Sequence, residues 1–107
     1  GHKTSGKKLR AKLKTMNEWL KSVRSREPLP QWWKTLKAKL VGHYRYYGVS
    51  GNMRELKTYH WRSVCLAYKW VNRRSQKRSY TWPRFTRFLE WNPLPKPRIY
   101  HDLYACA

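Results

Sequence analysis

The chain has 107 residues, of which 25 are Lys or Arg and only five are Asp or Glu, leaving a formal net charge of +20. Two cysteines, Cys65 and Cys106, are too few for a disulfide framework, and no Cys-x-x-Cys pair or clustered histidine supports a zinc site. No stretch approaches the ~18 apolar residues that span a bilayer, and the opening residues lack a signal peptide's apolar core. The expectation is therefore a cytoplasmic protein, kept inside the cell, with no cofactor, no metal and no membrane partner.

The basic residues are spread along the chain, 13 in residues 1–47 and 12 in the remainder, so the folded body itself is cationic. A chain so one-signed repels itself unless it meets a polyanion, and nucleic acid is the leading candidate. The 40% apolar residues are weighted to large rings, with seven Trp and eight Tyr. They suffice for the core of one small domain, with rings to spare for a ligand.

Leu9, Leu13, Met16, Leu20 and Val23 recur at three to four residues and predict a cationic amphipathic helix from about Ser5 to Arg24. Glu27-Pro-Leu-Pro30 ends it and opens a second helix, since proline is tolerated in a first turn but not in a helix interior. Trp33, Leu36, Leu40, Tyr44 and Tyr47 continue the helical period until Gly48 and the Ser50-Gly51-Asn52 cluster stop it, glycine there supplying positive φ.

Asn52 is placed to cap a third helix, about Met53 to Arg74, with Met53, Leu56, His60, Val64, Ala67 and Val71 as its stripe and Trp61, Tyr68 and Trp70 widening the apolar surface. Cys65 reads as a buried thiol in that helix. Thr81 caps a fourth helix with Pro83 in its first turn and Phe85, Phe88 and Leu89 on one face. Asn92 and the segment from Pro93 to Pro97 end it. The predicted fold is all-α, a small bundle of about four helices with an extended Pro-rich C-terminal tail, and residues 1–107 form a single domain.

Aromatic and basic clusters alternate from Leu36 to Tyr100, and cations bind phosphate while flat rings stack on bases. Arg73, Arg74, Lys77 and Arg78 occupy a polar connector where exposed cations reach phosphates without burial. Arg45 with Tyr46 stands beside a glycine-bounded turn, where the ring can stack on an unpaired base. Lys7, Lys8, Lys12 and Lys14 on the first helix are further candidate phosphate contacts, as are Lys96 and Arg98 in the stiff tail. That tail either lies along a groove or leads into a further domain. For each of these the alternative is ordinary solvated charge. Trp33, Trp61, Trp70, Tyr44 and Tyr47 are assigned to the core.

The run Lys39-Leu-Val-Gly-His-Tyr-Arg-Tyr-Tyr-Gly-Val-Ser-Gly-Asn52, followed by Trp70-Val-Asn-Arg-Arg-Ser-Gln76, Thr81-Trp-Pro-Arg-Phe85 and Pro93-Leu-Pro-Lys-Pro-Arg-Ile99, resembles the maturase-specific domain of group II intron reverse transcriptases. The resemblance is strong over residues 36–100, while residues 1–35 are similar to the helices entering the thumb and domain X of those enzymes. It implies a module that binds group II intron RNA, helps it fold and splice, supports its mobility and belongs with the rest of a reverse transcriptase, with a DNA target as a further possible ligand.

The resemblance does not extend to polymerase chemistry. Two-metal nucleotidyl transfer needs several converging carboxylates, and here Asp102 is the only Asp while Glu18, Glu27, Glu55 and Glu90 are isolated. The chain is therefore expected not to be an enzyme and to have no catalytic residues. The alternatives are a general basic helical DNA-binding domain or a remnant of a mobile-intron protein without function.

Overall fold

A computed structural model of the protein describes residues 3–48, 52–73 and 80–98, with side chains from Gly6 onward. Among these residues the chain forms four α-helices and no strand: α1 Lys3–Val23, α2 Leu29–Tyr47, α3 Met53–Val71 and α4 Trp82–Trp91.

The apolar stripe of α1 does what its spacing predicts. Met16, Leu20 and Val23 are buried, and Leu9 and Leu13 pack against the edge of the core. The chain reverses in a tight turn, the amides of Arg26 and Glu27 both donating to the Val23 carbonyl at 3.0 Å. Pro28 is extended and Pro30 sits in the first turn of α2, as its missing N–H permits. From α2, Trp32, Trp33, Leu36, Leu40 and Tyr44 enter the core. Gly48 closes the helix with φ −68° and ψ −21°, an ordinary right-handed conformation, so the expected positive φ is not found there. The residue is instead buried, where a side chain would need space.

α3 is the central element and packs against both α1 and α2. Asn52 caps it, its Oδ1 accepting the Glu55 amide at 3.2 Å. Its buried face carries Leu56, Tyr59, Ser63, Val64, Ala67, Trp70 and Val71; His60, expected in the stripe, is half-buried. Ser63 and Ala67 lie one turn apart and are fully buried, keeping the helix surface low where a neighbour must pass. The helix stops at Val71 rather than Arg74. Asn72 takes over, its amide bonding the Tyr68 carbonyl at 3.3 Å while its Oδ1 accepts the amide of Tyr80, just before α4.

Thr81 caps α4 through the Arg84 amide at 3.3 Å, and Phe85 from this helix is fully buried. Trp33 meets Phe88 edge-on at 4.9 Å and Phe85 at 6.3 Å, which locks α4 to α2. Of the rings assigned to the core, Trp33, Trp70 and Tyr44 are buried and Tyr47 is half-buried, but Trp61 is 53% exposed. It stands two positions after buried Tyr59, and such a step on a helix turns about 200°, so burying one turns the other outward. Cys65 shares that outward side and is only half-buried, burial still pushing its thiol pKa up.

The tail after α4 folds back. Trp33 Nε1 donates to the Asn92 carbonyl at 3.1 Å, Tyr44 Oη donates to the Pro95 carbonyl at 2.7 Å, and Leu94 is buried between these anchors. Through Pro95, the extended segment therefore lies along α2 rather than leading away from the bundle.

Candidate nucleic-acid interface

Lys8, Lys12, Thr15 and Trp19 follow one another at i, i+4, i+7 and i+11 on α1, and Lys39, His43, Tyr46 and Tyr47 at i, i+4, i+7 and i+8 on α2. Such spacing gives each helix a second stripe beside its core stripe. The two stripes face each other across a cleft of two adjoining lobes, about 230 and 340 Å³, which share Lys12, His43 and Tyr47. Tyr59 of α3 closes the floor of the larger lobe.

Ring geometry inside the cleft is specific. The His43 imidazole stacks on Tyr59 with centroids 3.6 Å apart and planes at 11°, and meets Tyr47 at 4.6 Å. Tyr46 extends the cluster, edge-on to Tyr47 at 4.7 Å. Cations bridge the helices above these rings: Lys12 Nζ lies 5.8 Å from the Tyr47 centroid, and Lys39 Nζ lies 4.7 Å from that of Trp19.

Protonation follows from this packing. Burial first, and the Lys12 ammonium second, lower the His43 pKa to about 4, so the imidazole is neutral at neutral pH. Burial and the neighbouring Tyr47 push the Tyr59 phenol up to about 12. The cleft thus pairs a neutral aromatic floor with a rim of Lys8, Lys12 and Lys39, against which Glu55 is the one acid of the lining. Flat neutral rings stack on bases and ammonium groups hold phosphates.

Gly42 lines the larger lobe from the interior of α2, and a Cβ built there would meet nothing within 4 Å. A glycine inside a helix costs roughly 0.5–1 kcal/mol relative to alanine. No packing within the described fold requires it. The open space above its backbone admits the close approach of a ligand.

Of the residues singled out from sequence, Lys8, Lys12 and Tyr46 are brought together in this cleft. Lys7 and Lys14 are exposed on α1 but do not line it, and Arg45 is exposed near the C-terminal end of α2. Arg73 is exposed just beyond α3, its amide bonding the Trp70 carbonyl at 3.2 Å; Arg74, Lys77 and Arg78 lie outside the described residues. Lys96 and Arg98 are exposed on the folded-back tail. Lys96 lies close enough to His60 to depress that imidazole's pKa, burial being the larger cause.

Sequence reading missed Lys39, His43 and Tyr59, and placed Tyr47 in the core. The signal was present as a second helical period beside the apolar one. It becomes readable only when Lys and His are scored with the rings they accompany.

No family model, curated protein or solved structure matches the chain. Among the described residues, no three or more His, Cys, Asp or Glu side chains are grouped to hold a metal ion, and no helix is long and apolar enough to cross a membrane.

Proposed function

We propose that this chain is an RNA-binding module that assists group II intron folding, splicing and mobility as part of a reverse transcriptase, without chemistry by its own side chains. One observation carries the RNA-binding reading: a cluster of stacked rings that ends in the exposed ring of Tyr46, 77% accessible, beside three lysines and an open helix backbone at Gly42. Unpaired bases offer the flat faces that such rings take, and their flanking phosphates meet the lysines. Duplex DNA keeps its bases stacked on one another and offers such rings no free face. The intron assignment rests on the ordered motifs of residues 36–100.

A group II intron carries its own catalytic centre, so a protein that binds the folded RNA more tightly than the unfolded RNA shifts the population by that differential affinity. The test is self-splicing of a group II intron at a magnesium concentration too low for folding. Addition of the 107-residue chain is expected to restore splicing, and Lys12→Glu with Lys39→Glu to abolish the rescue. Tight binding to the intron with no gain in splicing would overturn the assistance role.

The second reading, a helical DNA-binding domain with α3 as recognition helix, is disfavoured by one fact. α3 spends its most continuous face on the core, and the face it leaves exposed carries the Trp61 ring among its cations, a ring for which duplex DNA, with its bases already stacked, offers no partner.

A further inference from the structure

Trp61 and Trp82 stand on the side of the molecule that the cleft does not use. Trp61 is 53% exposed and Trp82 38% exposed, with their rings edge-on at 6.0 Å; Tyr68 braces Trp82 at 5.0 Å and 90°. Trp61 lies about 200° around α3 from Tyr59, the cleft floor.

These two rings differ from the other cation-flanked aromatics in one respect. Lys39 covers Trp19, Arg24 and Lys69 flank Trp70, Lys12 reaches Tyr47 and Arg84 reaches Tyr80. Among the described residues, no cation lies over Trp61 or Trp82. Their exposed faces are left open, while the cations that could reach a ligand stand around them: Lys57 one turn before Trp61 on the same face, and Arg54, Arg62 and Lys69 exposed along the same helix. Glu55, the one acid of α3, turns instead into the cleft.

Resting on the RNA reading above, we infer that the Trp61–Trp82 pair is a second stacking site, taking an unpaired nucleobase whose flanking phosphates are held by Lys57 and Arg62. Charge decides the occupant. A second copy of this chain would bring another +20 to a face already rimmed with cations, whereas a single strand of RNA brings a π-face and compensating phosphates together. With one strand in the cleft and another on this pair, the domain bridges two RNA segments across α3. That is a direct way for a small protein to hold a folded RNA together.

The experiment uses the full chain labelled with 5-fluorotryptophan, its Trp61 and Trp82 ¹⁹F resonances assigned from Trp61→Phe and Trp82→Phe, titrated with a 12-nucleotide single-stranded RNA and with an RNA duplex of equal phosphate count. The single strand is expected to shift both resonances, and the duplex to leave them in place. Trp61→Ala should weaken single-strand binding at least about fivefold, the low end of a base-stacking contribution, with duplex binding unchanged. Single-strand affinity unchanged in a folded Trp61→Ala variant, or shifts that follow protein concentration without RNA, would overturn the second site. Loss of binding in Lys12→Glu with Lys39→Glu would show in that case that the cleft reading still stands. If that cleft variant also binds as before, the RNA reading itself falls.

Discussion

The cleft between α1 and α2 and the outer edge shared by α3 and α4 are both built from aromatic rings and cations, yet they are physically different objects. In the cleft His43, Tyr47 and Tyr59 pack on one another, half-buried or buried, with Lys12 over Tyr47, while Tyr46 beside them is exposed. At the edge Trp61 and Trp82 are exposed and uncovered by described cations. Aromatic-basic composition therefore does not define a single kind of site. What a ring can do depends on whether the fold has already occupied its faces.

The largest expected effect separates two neighbours on α3. Tyr59→Ala removes a buried ring stacked on His43 and should destabilise the fold by about 3–5 kcal/mol, the usual cost of losing a core aromatic. Trp61→Ala, two residues on, should cost less, about 1–2 kcal/mol, since the ring is 53% exposed and gives up only part of a burial and an edge contact with Trp82. Urea unfolding monitored by circular dichroism measures both, and equal costs would erase the distinction between the regions.

Next in size is the electrostatic effect. Lys12→Glu with Lys39→Glu should lower RNA affinity more than tenfold and flatten the salt dependence, since each lost contact to a single-stranded phosphate reduces the slope by about 0.7. The chain as a whole, if it neutralises roughly 6 to 10 phosphates, should lose about 10³ to 10⁵ in affinity between 50 and 200 mM salt. Filter binding across a salt series reads both quantities.

A half-buried histidine distinguishes the cleft from the edge. His43 has a folded pKa of about 4 against an ordinary 6.5, so between these values the unfolded chain binds more protons than the folded one. Stability therefore falls as pH drops from about 6.5 to 4. His60, also depressed, adds in the same direction. Thermal melts should show a lowered midpoint across this window, and His43→Gln should reduce the dependence. A midpoint indifferent to pH would contradict the burial of His43.

The smallest effect is the most diagnostic of a ligand. Gly42→Ala should raise stability by about 0.5–1 kcal/mol, because alanine favours helix and its methyl meets open space. The same substitution should weaken RNA binding. A gain in both would remove Gly42 from the interface.

Much of the architecture was legible in residue order. The α1 stripe, Pro30, the Asn52 and Thr81 caps and Phe85 all do what spacing and capping chemistry require. Trp61 was misread because α3 carries apolar residues most of the way round: one side meets α1 and α2, and Tyr68 on another meets α4. Helical period alone does not say which of those faces a later helix covers. The tail posed a different problem. Prolines announce stiffness, but its docking depends on carbonyls that accept from Trp33 and Tyr44, 59 and 51 residues away in sequence. Of the residues lining the cleft, Lys8 and Lys12 were visible as charge on the first helix and Tyr46 as a ring beside Arg45, whereas His43 and Tyr59 come together only once two helices meet.

A salt-titrated binding assay, comparing a folded group II intron fragment with duplex DNA of equal phosphate count, bears on all of this. RNA recognition through the cleft requires preference for the intron to persist at moderate salt and to vanish in Lys12→Glu with Lys39→Glu. Equal affinities that collapse together as salt rises would contradict it, leaving a basic polyanion binder without RNA recognition.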